Sequence, residues 1–242
     1  MKLLVGCCGF TKSMKAYSSD FKLVELQTTF YRVIRLETAR KWRSQVPEDF
    51  IFTVKAFQGI THPPSSPTWR RSNIKPTKNH GELKPTKEVQ DSWKITKSIC
   101  EELRSPFCLI QTPSSFKDTP ENYRNAEAFF SSIERDSIDI GFEPRGWSPD
   151  SIARLCKRAR LVHVTDPFLQ DPVTLGRHKV VYVRLHGSPP GKTMYNYSYT
   201  DEDLATLYRK IKEYDGDIIY VLFNNVTMER DSRRFIKLFS GY

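Results

Sequence analysis

Apolar positions fall into two alternating rhythms along the chain. Short runs rich in β-branched and aromatic residues cover residues 2–5, 23–26, 50–55, 107–111, 138–143, 160–164, 179–185 and 217–223. Several are apolar at every position, as in Ile218-Ile219-Tyr220-Val221-Leu222-Phe223. That pattern suits strands covered by helices rather than strands with one wet face. Between the runs, residues 88–103, 121–135 and 228–239 carry apolar side chains at helical spacing. Thr200 stands before Asp201-Glu202-Asp203, a capping hydroxyl followed by acids that suit the positive end of a helix. Pro149 fits the first turn of a helix running to about residue 158. After Asp166 the chain is too rich in Pro and Asp for a long helix, so that crossover is expected to be degenerate. Strand and helix in alternation, with about eight strands, predict one α/β domain over residues 1–242: a (β/α)8 barrel with a closed parallel sheet.

Residues 62–86 break the rhythm. They hold five prolines, Trp69 and the cations Arg70, Arg71, Lys75, Lys78 and Lys84, with Glu82 as the sole acid. A linker, a solvated loop and a lid all fit this composition. Because the segment follows the third strand, a barrel would bring it out on the face where catalytic loops gather, which favours the lid.

Composition narrows the class. The 242 residues are 38% hydrophobic and 27% charged, as in an ordinary globular protein. No apolar run reaches membrane-spanning length, and the stretch after Met1 is too short for a signal peptide, so a cytoplasmic protein is expected. Five cysteines without CxxC spacing read as reduced, buried thiols. A net charge of +10 favours anionic partners in general and selects none in particular.

Polar residues collect where the predicted strands end. Gly6-Cys7-Cys8-Gly9-Phe10 closes the first, and Glu25 with Gln27 the second. Lys55 ends the third and Gln111 the fourth, with Glu143 and Arg145 at the fifth. Thr165-Asp166 follows the sixth, Arg184 and His186 the seventh, and Asn224-Asn225 the eighth. Barrel active sites are assembled from such positions, and a charge there needs solvent or a partner, so the set predicts a shared polar cavity. Glu143 and Arg145, like Arg184 and His186, are two apart and face one way on an extended strand. A structural ion pair would account for the first couple, and a satisfied hydrogen-bonding histidine for the second. Glu25, His62, Glu143, Asp166 and His186 are suitable metal-ligand types, but no HxH, HExxH or EF-hand spacing joins them, and a divalent metal is not expected. GxGxxG, GxxxxGK[ST] and GxSxG loops are absent from the sequence.

These residues resemble the DUF72 (YecE-like) family. The likeness runs through Gly6-Cys7-Cys8-Gly9-Phe10, Glu25-Leu26-Gln27-Thr28-Thr29-Phe30-Tyr31-Arg32, Trp42, Phe52-Thr53-Val54-Lys55-Ala56 and Ile60-Thr61-His62. It continues in Gln111-Thr112-Pro113-Ser114-Ser115-Phe116, Glu143-Pro144-Arg145 with Trp147, Tyr182-Val183-Arg184-Leu185-His186-Gly187 and Phe223-Asn224-Asn225. The resemblance spans nearly the whole chain and implies a TIM barrel akin to endonuclease IV and xylose isomerase-like enzymes, without an assigned activity. The sequence departs from the family pattern in three places. Phe10 stands where Trp is common, Cys7-Cys8 replace small hydroxyl residues, and Met228-Glu229-Arg230 replace a Gly- and Ala-rich stretch.

The expected function is an enzyme-like barrel, of hydrolase or lyase type, binding a small anionic or phosphorylated ligand. Lys55, Arg145 and Arg184 would hold the anion. Glu143 and His186 would serve as general base and acid, with Glu25 a second carboxylate. Tyr31, Gln111, Asn224 and Asn225 would orient the ligand, and Cys7 would sit near the mouth. Two alternatives come from other classes. One is a nucleic-acid-binding protein using the basic loop 70–87 and the Trp69 ring; the other is a barrel scaffold without catalysis.

Overall fold

A computed structural model describes residues 1–240. Eight parallel strands form one sheet in the order β6-β5-β4-β3-β2-β1-β8-β7. They are β1 Lys2–Cys7, β2 Leu23–Leu26, β3 Ile51–Lys55, β4 Phe107–Gln111, β5 Asp139–Glu143, β6 Val162–His163, β7 Val180–Leu185 and β8 Ile218–Phe223. Between β6 and β7 one parallel bridge, Thr165 to Val183, nearly closes the ring, with Arg184 N–H donating to the Thr165 carbonyl at 2.9 Å. The barrel expected from the alternation is therefore present, with one thin seam.

Helices α1 Met14–Asp20, α2 Thr28–Tyr31, α3 Leu36–Ser44, α4 Lys87–Glu102, α5 Pro120–Ser132, α6 Pro149–Ala159, α7 Asp201–Glu213 and α8 Met228–Ser240 complete the alternation. The cap expected at Thr200 is a reciprocal box, in which the Thr200 hydroxyl accepts from Asp203 N–H and the Asp203 carboxylate accepts from Thr200 N–H. Pro149 opens α6 as predicted, and no helix spans the crossover after Asp166. Helices α1 to α3 have no strong sequence signal because each buries little: only Ala39 is buried in α3, and only Tyr17 and Ser18 in α1. No described helix is long and apolar enough to cross a membrane.

Side chains alternate between two cores. Those facing out from the strands pack under the helices, as Phe52, Val54, Cys108, Ile110 and Phe142 do. Those facing in fill the barrel: Leu23, Phe107, Leu109, Val162, Val164, Tyr182, Tyr220 and Leu222. The rings of Phe107 and Tyr182 stack inside it at 4.1 Å and 9°. Gly141 makes room for them, since a Cβ there would lie 2.4 Å from the Phe107 ring. The barrel is a packed core below and becomes polar only at the strand ends.

Residues 62–86 are not the open loop that their composition allows. A 3-10 turn at Pro67–Arg71 buries Trp69, whose indole N–H donates to the Pro63 carbonyl at 2.9 Å. Trp69 packs edge-on against Phe57 and His80, and Leu83 is fully buried. Asn73 exchanges two hydrogen bonds with the Val33 backbone, at 3.0 and 2.9 Å, tying the segment to the turn after α2. Arg70, Arg71, Lys75 and Lys78 remain exposed. Trp69 is thus a structural anchor, and the expectation that its ring would contact a base is corrected: burying that much apolar surface outweighs leaving it free to stack.

Candidate active site at the strand ends

Glu25, Lys55, Gln111, Glu143 and Arg184 meet at the C-terminal end of the barrel because each is the last or nearly last inward-facing residue of its strand. Registers align them: Gln111 pairs with Glu143, and Lys55 with Leu109. Arg184 is the centre. Its Nη1 donates to Glu143 Oε2 at 2.6 Å and Gln111 Oε1 at 3.2 Å, and its Nη2 to Glu25 Oε1 at 2.8 Å and Cys8 Sγ at 3.7 Å. Both carboxylates and the guanidinium lie out of water, with side-chain exposure of 1% for Arg184, 0% for Glu25 and 9% for Glu143. Burial opposes the charge on Arg184, but Glu143 and Glu25 outweigh it and push its pKa up. Burial likewise works to raise the Glu143 carboxyl, yet Arg184, with His186 and Arg145, holds it well below the ordinary carboxylate range.

This geometry revises two expectations. Arg184 was expected to clamp an anion, but two carboxylates already satisfy its outer nitrogens and only Nε is left without a protein partner. Glu25 was expected as a second catalytic carboxylate, but it accepts from Arg184, from Tyr182 Oη at 2.8 Å and from the Gln27 amide. Both are framework. The Tyr182 hydroxyl also meets Thr53 Oγ1 at 2.8 Å, so the barrel interior supports Glu25 from below.

The mouth above is less committed. His186 Nδ1 accepts from Asn224 Nδ2 at 3.2 Å, which leaves the proton on Nε2, 3.4 Å from Glu143 Oε1. Burial lowers the His186 pKa in spite of Glu143, so the ring is neutral at pH 7. Arg145 reaches Glu143 only at 3.4 Å and leans on Tyr195 Oη at 3.3 Å and Met194 Sδ at 3.8 Å. Asp166 accepts from the N–H of His186 at 2.9 Å and of Phe168 at 3.1 Å, yet burial still raises its pKa to about 6.

Lys55 differs from every other buried charge here. It is 7% exposed, its Nζ lies 4.2 Å from the Phe30 ring centroid, and it makes no ion pair or side-chain hydrogen bond with any described residue. Burial first, then Arg184, lowers its pKa to about 8 against the opposing pull of Glu25 and Glu143. His62 meets the same Phe30 ring edge-on at 4.9 Å, with Nδ1 held 2.8 Å from Thr61 Oγ1. Burial, then Lys55 and Arg145, lower the His62 pKa to about 3.

Three expected site residues lie elsewhere. Asn225 is bound to Asp231, Thr227 and the Tyr197 carbonyl, outside the barrel, because the residue after Asn224 must face the helices. The same alternation moves Cys7 away from the mouth and onto Ser232, at 3.5 Å, while Cys8 takes the inner position. Tyr31 stays half-buried under the Arg71 guanidinium, 3.6 Å from its ring centroid, and is not joined to the central cluster. Glu25, His62, Glu143, Asp166 and His186 do not converge: among the described residues no three His, Cys, Asp or Glu form a metal-binding group. Tyr182, Cys8 and Phe30 are the residues missed. Tyr182 was within reach of the same period-2 argument that singled out Arg184.

A parallel eight-stranded barrel with a charged cluster at its strand ends defines a TIM-barrel protein. The chain belongs to the protein family of unknown function DUF72, whose pattern it matches over residues 8–240. It is 46% identical over 50 residues to the UPF0759 protein YunF of Bacillus subtilis (strain 168), a stretch covering 21% of this chain and 18% of YunF. A DUF72 family protein from Thermotoga maritima superposes with a TM-score of 0.72 at 21% identity, covering 99% of this chain and 100% of the other. D-psicose 3-epimerase, solved in the presence of D-fructose, superposes with a TM-score of 0.61 at 7% identity, covering 97% of each chain.

Proposed function

We propose that the chain is an enzyme that binds a small anionic or phosphorylated ligand at the mouth of the barrel, between Lys55 and Arg145. One observation carries the reading: Lys55 is a buried ammonium without a carboxylate partner. An unpaired buried charge is costly, and an anion relieves that cost. Arg145 makes only long contacts, at 3.4 Å to Glu143, 3.3 Å to Tyr195 Oη and 3.8 Å to Met194 Sδ, and can redirect its donors to the same ligand. Arg184 contributes Nε at most. Neutral His186, flanked by Glu143 and Asn224, is the group placed to move a proton on the ligand, with Gln111 and Asn224 orienting it. The barrel shared with the epimerase supplies fold and mouth, and the choice of ligand rests on Lys55. The nucleic-acid alternative keeps its exposed cations but has lost its stacking ring.

Thermal unfolding in increasing phosphate or sulfate tests the reading. Wild type should gain stability with concentration, since a ligand that binds only the native state shifts unfolding by mass action. Arg145→Ala and Lys55→Met should each blunt that gain. Equal responses in all three proteins over a wide concentration range would remove the anion site.

A further inference from the structure

We propose that Lys55 forms a Schiff base with the carbonyl carbon of a small anionic aldehyde or ketone, whose anionic group Arg145 holds. The inference rests on the anion-site reading and names its substrate class. Three features of the site meet the needs of amine chemistry. Nζ is free of carboxylates, so no ion pair must be broken before it reacts. It sits against the face of Phe30 at the end of β3, facing the same way as the inward Thr53, so it approaches the cavity and not the helices. Its lowered pKa, about 8, leaves a useful fraction of neutral amine at physiological pH. Desolvation next to another cation is a known way to activate a lysine.

The step balances without a co-reactant. Neutral Nζ attacks the carbonyl carbon, and its proton passes to the carbonyl oxygen to give a carbinolamine. The nitrogen lone pair then expels the hydroxyl, giving a transient iminium cation, and the remaining N–H proton passes to the departing hydroxide to complete water and leave a neutral imine. His62 shares the Phe30 ring with Lys55 and is neutral, with Nε2 making no hydrogen bond to a described residue. Glu143, held well below the ordinary carboxylate range and acting on Lys55, stabilises the transient iminium cation electrostatically.

The test is reductive trapping. Wild-type protein is incubated at pH 7.5 with glyoxylate and cyanoborohydride, and adducts are mapped by peptide mass spectrometry. Lys55 should be modified on the order of tenfold faster than the exposed Lys75, Lys78 and Lys192, as an activated amine requires. Arg145→Ala should slow trapping of glyoxylate by a severalfold larger factor than trapping of glycolaldehyde, which carries no anion. Lys55→Met should lose the fast adduct. Labelling of the exposed lysines with Lys55 spared in wild type overturns the proposal, and because it needs no variant it does not depend on how the variants fold. The phosphate titration separates the two readings. A phosphate response without Lys55 labelling sinks the Schiff base and keeps the anion site, whereas fast labelling with no phosphate response and no effect of Arg145→Ala sinks the anion site.

Discussion

Arg184 on β7 and Glu25 on β2, three strands apart around the ring, meet at 2.8 Å with side-chain exposures of 1% and 0%. The same guanidinium holds Glu143 of β5 at 2.6 Å, so one residue ties three strands across the interior. Removing it strands two buried carboxylates. Arg184→Met should cost about 3–5 kcal/mol in urea unfolding at pH 7, the usual penalty for breaking a buried pair. Glu143, held below its ordinary range, contributes stability that is present above about pH 4.3 and is lost as pH falls through its lower folded-state value. Without Arg184 that advantage disappears, so the deficit of Arg184→Met should shrink on acidification. A constant deficit from pH 7 to pH 3 would mean that lost packing, not charge, is responsible.

Lys55 gives a slope of the same sign, at alkaline pH. Its folded pKa, about 8, lies below the unfolded value near 10.4, so the unfolded chain binds more protons between those limits. Stability should therefore rise with pH from about 8 to 10.4, by up to about 3 kcal/mol. Lys55→Met should lack the rise. The check is the difference in unfolding free energy between the two proteins, measured at half-unit steps.

Asp166 should act as an acid-side counterpart. Its pKa, raised to about 6, means that the folded chain binds more protons than the unfolded one between about pH 4 and 6, so stability falls as pH rises through that window. Asp166→Asn keeps an acceptor for the His186 and Phe168 amides and cannot ionise. Its unfolding midpoint should show less decline than wild type over this range, and parallel curves would refute the assignment.

Trp69 tests the packing of residues 62–86. Trp69→Ala should cost about 3–5 kcal/mol, as for a large buried aromatic side chain. The segment should also become a preferred site of limited proteolysis. Neutralising Arg70, Lys75 and Lys78, which are exposed, should change stability by less than about 0.5 kcal/mol and leave the phosphate response intact. Loss of that response on neutralisation would place the anion on this segment instead of in the barrel.

Strand ends were legible in the sequence because period-2 alternation carries direction as well as position. It turns Glu143 with Arg145, and Arg184 with His186, to one side of their strands, and the same alternation at Gly6-Cys7-Cys8 and Asn224-Asn225 turns Cys7 and Asn225 outward. What a pattern of residue types does not encode is who satisfies whom. Arg184 reads the same along the chain whether it awaits a ligand or is saturated by Glu25 and Glu143. Trp69 in a Pro- and Lys-rich stretch has no local partner to announce its burial, because Phe57 and His80 reach it through tertiary packing. The short α1 and α3 escaped for the same reason: their stability comes from docking onto the barrel more than from an apolar stripe.

The bridge between β6 and β7 makes the barrel a split ring. Where neighbouring strands share several registered pairs, this junction rests on Thr165 with Val183 and on the clasp of Asp166 to the His186 amide. A split ring parts at its slit, so the gape of the mouth is governed by one backbone bridge and one carboxylate at the rim. The Arg184 amide, bonded across that slit, should be among the first interior protons to exchange with solvent. Its protection then reports, like a strain gauge, whether anything has come to rest against His186.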